Sequence, residues 1–247
     1  MKVRGHVKEG YRSPLREAHA RSTRQAVIDA AARLFAERGY VATSIEEIAA
    51  AAGVSRATVF NAVGGKAILL KTAFDVAIVG DDEPVALPDR PRSRAIRAEP
   101  DAGKYLALYA DMVTELAGRL APIAEAVRSA AGADPDARRL WTEHQAQRRK
   151  GALHVVDDVL RKGQLRNGLS TADAADIVWA LNDPGLYHQL VLTRGWQPAR
   201  FGTWLAETMQ QQLLRGALTH IPGAARASTS ARSSSASKRR GRDREKY

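Results

Sequence analysis

The stretch SIEEIAAAAGVSRATVFNAVGGK, Ser44 to Lys66, decides the fold of this chain. Ser44 followed three residues later by Glu47 is a capping box, in which the serine hydroxyl accepts from one free backbone N–H and the glutamate from another. A helix therefore starts after Ser44 and stops at Gly53, a residue suited to the left-handed backbone that ends helices. Ser55 caps a second, short helix to about Ala62, and Gly64-Gly65 breaks it. Two helices joined by so short a turn meet at a steep angle. Ala49 is small where the second helix crosses, and Ile48, Val54 and Val59 point into the angle. Small, glycine and apolar residues at Ala49, Gly53 and Val59 make a helix-turn-helix.

Working outward, Arg24 to Arg38 reads as a helix with Val27, Ile28, Ala31, Leu34 and Phe35 on one face. Ser22 and Gln25 resemble a capping box before it, and Gly39 stops it. Lys66 to Val79 is the fourth helix, with Ile68, Leu69, Thr72, Ala73 and Val76 expected on its inner side. Residues 80–102 hold four prolines and no helical period, so a linker and domain boundary are expected there. Helical patterns resume at Lys104 to Leu120, Pro122 to Ala131, Pro135 to Lys162 and Thr171 to Asn182. Asp183-Pro184 interrupts the last of these before a continuation to about Thr193. A final helix runs from Pro198 to about Leu218, with Phe201, Leu205, Met209, Leu213 and Ala217 in a stripe broadened by Trp204 and Leu214. No run alternates with the period of a strand, so the expectation is all-α. The expected organisation is a basic flexible arm (1–21), a helix-turn-helix domain (22–79), a linker (80–102), a second helical domain (103–220), to which the family resemblance given below assigns ligand binding and dimerisation, and a disordered basic tail (221–247).

Composition narrows the chemistry. The 247 residues are 45% hydrophobic and include no cysteine, which excludes disulfides, thiolate nucleophiles and Cys-ligated metals. No stretch reaches the roughly 18 apolar residues of a membrane span, and the N-terminus has no apolar core of a secretory signal, so a cytoplasmic protein without membrane contact is expected. The six histidines form no HExxH pattern, and there is no Walker loop, GxSxG or GxGxxG, so neither an enzyme nor a cofactor nor a metal is expected. The net charge of +11 sits at the two ends. Residues 1–24 hold seven Lys/Arg against two acids, residues 222–247 hold eight against two, and the body between them is neutral. Basic ends attract polyanions through counterion release, or serve solubility.

The N-terminal unit resembles the TetR family of bacterial transcriptional regulators. The likeness is carried by FAERGYVATS (Phe35 to Ser44), IEEIAAAAGVSRATVF and Lys66 opening the next helix, and more loosely by DIVWALNDPGLYHQLVLTRGW (Asp176 to Trp196). The chain departs from the family pattern at Phe60, usually Tyr, and at Val63, usually Phe. The resemblance implies an all-helical homodimer joined through the last two helices, a double-stranded operator, and a small-molecule effector bound in the C-terminal domain.

In a helix-turn-helix the second helix enters the major groove N-terminus first. That selects Ser55, Arg56, Ala57, Thr58, Phe60 and Asn61, with Arg56 suited to guanine O6/N7 and Asn61 to adenine N6/N7. Thr43, Ser44, Thr58 and Lys66 are candidates for phosphates. Residues 24–66 carry five basic and four acidic groups, so the reading head is almost neutral and the arm is expected to supply phosphate attraction. Tyr105, Tyr109, Met112, Trp141, Gln145, Trp179, Asn182, Tyr187 and His188 are candidates for an effector pocket, being aromatic or polar-tipped among helices. Trp204 and Met209 are expected at the dimer interface. The competing reading is a nonspecific DNA-coating protein driven by its basic ends.

Overall fold

The computed structural model describes residues 14–215. Ten α-helices follow one another: α1 (Pro14–Arg38), α2 (Ile45–Ala52), α3 (Arg56–Ala62), α4 (Lys66–Val79), α5 (Pro91–Ala98), α6 (Ala102–Ala130), α7 (Pro135–Lys162), α8 (Thr171–Leu181), α9 (Pro184–Tyr187) and α10 (Pro198–Leu213). A 3-10 turn at Leu87–Asp89 precedes α5, and a π-helical turn at His188–Thr193 extends α9. Among the described residues there is no strand, only an isolated antiparallel bridge between Leu165 and Leu214. No described helix is long and apolar enough to cross a membrane.

The helix-turn-helix closes as its residues dictate. Ser44 Oγ accepts from the Glu47 backbone N–H, while Glu47 accepts from the Ser44 backbone N–H at 2.8 Å. Those bonds, with Arg38 nearby, hold the Glu47 carboxyl below its usual pKa. Gly53 adopts φ 69°, the left-handed region that an L side chain reaches only with strain. Ile48, Ala49 and Val59 are buried, so α3 packs across α2 through its Val59 face. Around them Ile28, Phe35, Leu69, Leu70 and Phe74 fill the core, each large side chain contributing roughly 1.5–3 kcal/mol on burial.

That core does not end with α4. Leu120, Ile123 and Val127 of α6 and Leu140 of α7 belong to the same buried cluster as Phe35 and Phe74. A second cluster joins Tyr105, Leu106 and Val113 of α6 to Val156 of α7, Val178 of α8, and Phe201, Leu205 and Met209 of α10. Helix α6 thus serves both.

Several expectations are corrected. Helix α1 starts at Pro14, so residues 14–21 are helical rather than a flexible arm, and Ser22 lies inside the helix instead of capping it. The linker 80–102 contains α5 and the 3-10 turn, and the reading-head core continues past it. Helix α6 passes through Pro122 unbroken. The ring removes the hydrogen bond to residue 118, which is a glycine at the surface where water can reach its carbonyl. In α4 Ile68 is 55% exposed, and the inner positions are Leu69, Leu70, Ala73 and Phe74. Met209 is fully buried within the subunit's own core, which removes it from any dimer surface. The chain does break at Asp183-Pro184: α8 ends, Asp183 Oδ1 accepts from the Gly185 N–H, and a new helix begins. Helix α10 ends at Leu213, and Ala217, Leu218, the first part of the arm and the basic tail lie outside the described residues.

Candidate functional site

Helix α3 sets the reading surface. Ser55 caps it, its hydroxyl accepting from the Thr58 N–H at 3.1 Å and sharing a hydrogen bond with the Thr58 hydroxyl. With Val59 turned inward, Ser55, Arg56, Ala57, Phe60 and Asn61 are exposed and Thr58 is half-buried. Arg56 lies across Glu46 of α2 at 3.1 Å, with its guanidinium 5.6 Å from the Phe60 ring. An exposed pair of this kind contributes little, so Arg56 can exchange Glu46 for another acceptor at small cost.

Thr43 is a different case. It is buried, and its hydroxyl donates to the carbonyls of Gly39 at 2.8 Å and Leu34 at 3.2 Å. That hydroxyl staples the α1–α2 corner, so Thr43 is withdrawn as a phosphate ligand. Ser44 is half-buried and engaged as the α2 cap. Lys66 donates to the Val41 carbonyl at 3.2 Å and sits 4.5 Å from the Tyr40 ring, and partial burial lowers its pKa.

The charge of the head is balanced pair by pair. Arg33 pairs with Glu37, Arg38 with Glu47 and Arg56 with Glu46. Arg24, the first residue of the helix expected from sequence, donates to the Ala62 carbonyl at the end of α3 at 2.7 Å and pairs with Asp82. Arg16 and Arg21, on the first turns of α1, are exposed. They add exposed positive charge to the first turns of α1, beside a head that is itself almost neutral.

The sequence-predicted effector residues do not form one cavity. Tyr109, Gln145, Trp179 and Asn182 converge on Arg148, whose side chain is 8% exposed. Arg148 donates to Gln145 Oε1 at 2.5 Å, Asp183 Oδ2 at 2.7 Å, the Trp179 carbonyl at 2.5 Å and Asn182 Oδ1 at 2.9 Å, while Asn182 donates to the Tyr109 hydroxyl at 3.1 Å. Tyr105 stacks on Tyr109 with ring centroids 6.5 Å apart but turns its hydroxyl away, donating to the buried Asp158 at 3.0 Å, and Met112 accepts a weak bond from Ser93. Trp141 and His188 line a narrow crevice with Asp183 and Pro184. Tyr187 borders an open cleft of about 510 Å³ between α6 and α10, lined also by Asp111, Thr114 and Gly202.

Arg148 escaped the sequence reading, although a signal existed. His144, Ala152, Val156 and Val159 are the inward positions of α7, and Arg148 stands midway between the first two, four residues from each. A second missed residue is His144, buried edge-on against Phe74 with ring centroids 4.8 Å apart. Burial and the neighbouring Arg148 push its pKa down to about 4.

Comparison with known proteins agrees with this architecture. Residues 27–73 match the sequence model of bacterial regulatory proteins, tetR family. No curated protein matches the chain in sequence. Among solved structures, NalD, the secondary repressor of the MexAB-OprM multidrug efflux pump in Pseudomonas aeruginosa, aligns with TM-score 0.60 and 24% identity over 81% of this chain and 99% of its own. The transcriptional regulator FadR from Bacillus subtilis, solved in complex with stearoyl-CoA, aligns with TM-score 0.58 and 22% identity over 75% of this chain and 96% of its own. The fatty acid degradation regulator FadR from Bacillus halodurans gives TM-score 0.59 and 19% identity over 81% and 97%. At these identities the solved structures establish the shared fold, and residues 27–73 are similar to the N-terminal domain of bacterial regulatory proteins of the tetR family.

Proposed function

We propose that this chain is a sequence-specific transcriptional regulator that binds a palindromic operator as a homodimer and represses until a small molecule occupies its C-terminal domain. The observation that carries the reading is the orientation of α3: Val59 anchors the helix, and Arg56, Ala57, Phe60 and Asn61 are left exposed beside its capped N-terminus. Such a helix fits the major groove, with Arg56 forked on a guanine, Asn61 on an adenine, and Phe60 against sugar or a thymine methyl. Ser44, Ser55, Thr58 and Lys66 lie beside α3 where backbone phosphates would run. Recognition helices of the two subunits must stand about 34–36 Å apart to read half-sites one turn apart. Pairing through α8–α9 and α10 supplies that spacing, with the half-buried Trp204 on the α10 surface.

Genomic footprinting of the full-length protein tests this. An inverted repeat is expected under bound sites, with a preference over random duplex of about a thousandfold or more. Arg56→Ala is expected to cost about 1–3 kcal/mol on that repeat and far less on random DNA. Equal binding to both duplexes would instead support the nonspecific DNA-coating alternative.

A further inference from the structure

The donors around Arg148 outnumber their acceptors. Arg148 Nε, Arg149 Nη1 and Trp179 Nε1 are buried without a hydrogen-bond partner among the described residues, and His144 Nε2 is a fourth unpaired nitrogen beside them. A buried N–H without an acceptor is costly, and native interiors leave few. These belong to one neighbourhood: the Arg148 guanidinium lies 5.3 Å from the Trp179 ring centroid, and Arg149 reaches Asp176 on the same helix as Trp179. Among the described residues, the one carboxylate paired with Arg148 is that of Asp183. Asp183 is 32% exposed against 8% for Arg148, and its carboxylate also borders the crevice walled by Trp141 and Pro184. A buried cation thus stands behind a partly exposed carboxylate, among aromatic side chains.

We infer that Arg148 is the anchor of an effector site for a small carboxylate with an apolar body, which widens the Trp141 crevice, about 10 Å³ in this structure, and takes the place of the Asp183 carboxylate. This rests on the proposed reading of the C-terminal domain as an effector domain and names the effector's class. The incoming carboxylate accepts the Arg148 Nη1 N–H that Asp183 releases, a charge-assisted bond roughly twice as strong as a neutral one. Its lone pairs also suit the Trp179 indole N–H. Its apolar body packs against Trp141 and Pro184, which wall the crevice. Asp183 caps α9, so its displacement reaches the α8–α9 junction directly.

Titration of the full-length protein by calorimetry, at fixed ionic strength, separates the possibilities. The probes are benzoate and octanoate, with benzamide and octanamide as neutral counterparts. Carboxylates are expected to bind at least about tenfold more tightly than the amides, since an amide leaves the buried charge unanswered. Asp183→Asn keeps an oxygen for the α9 cap and removes the competing charge, so carboxylate affinity is expected to rise about tenfold or more. Arg148→Gln is expected to abolish the preference for carboxylate; Asp183→Asn reads the same site if that variant fails to fold. The inference is overturned if Asp183→Asn binds carboxylate and amide alike, or binds neither up to about 10 mM. Because the titration contains no DNA, its failure leaves operator recognition standing, and a failed footprint leaves the titration standing.

Discussion

A hydroxyl that is buried and bonded to two carbonyls contributes to stability, whereas one that meets phosphate contributes to affinity. Thr43 is of the first kind, donating to Leu34 and Gly39. Thr43→Val keeps the shape, removes the donor and is expected to lower unfolding stability by about 1 kcal/mol, measured by urea titration. The salt dependence of DNA binding should remain that of the parent. His144 gives a second residue-scale expectation. Its folded pKa, about 4, lies below the ordinary value of 6.5, so the folded state resists the proton that the unfolded chain accepts. Stability is therefore unaffected above about pH 6.5, falls as the pH drops towards 4, and levels below that, a loss on the order of 3 kcal/mol. Arg148 and Asp183 are the charges that face it, with opposite effects. His144→Phe, packed on Phe74, removes the titration. Urea midpoints of the variant should fall less between pH 7 and pH 4.5 than those of the parent.

At the scale of elements, α1 carries the sharpest test. Its first turns hold Arg16 and Arg21 on an exposed rod continuous with the reading head. Because the head's own arginines are paired within the protein, these two are expected to neutralise phosphates. The double variant Arg16→Gln, Arg21→Gln should reduce the slope of log affinity against log salt by about 0.9 for each phosphate no longer neutralised. An unchanged slope would mean that this rod stays off the DNA. The extent of α1 was also the feature least legible from periodicity. Residues 14–22 have no apolar face to repeat, and their helix signals are local ones, Pro14 at the first position and Glu17 in the first turn. Helix α5 hid for the same reason, burying only Ser93 and Ile96. By contrast α2 and α3 were legible to the residue, because a capping box, a serine cap, a turn glycine and a small crossing residue are all local chemistry. The effector candidates were not, since aromatic type says nothing about which helix an aromatic residue will meet. Only the topology brings Tyr109, Arg148 and Asn182 together.

At the scale of the whole molecule, the expected boundary near residues 80–102 fails as a line of separation. Leu120, Ile123, Val127 and Leu140 complete the core that Phe35 and Phe74 begin. A fragment ending at residue 101 leaves that apolar surface open to water. It is expected to show no cooperative thermal transition by circular dichroism, while residues 1–215 do. A sharp transition in the fragment would show the head to be independent.

The unbroken passage of α6 through Pro122 has a mechanical consequence. Tyr109 and Val127 ride on one rod, eighteen residues apart, which is about 27 Å at the rise of an α-helix. A tilt of about 5° imposed at the Tyr109 end carries Val127 sideways by about 2 Å, half the spacing between packed carbon atoms. Close-packed interiors do not absorb such a shift gradually but move from one packing to another. A displacement in one half of the subunit is thus transmitted as leverage, and the stiffness of a single helix sets how faithfully the other half follows.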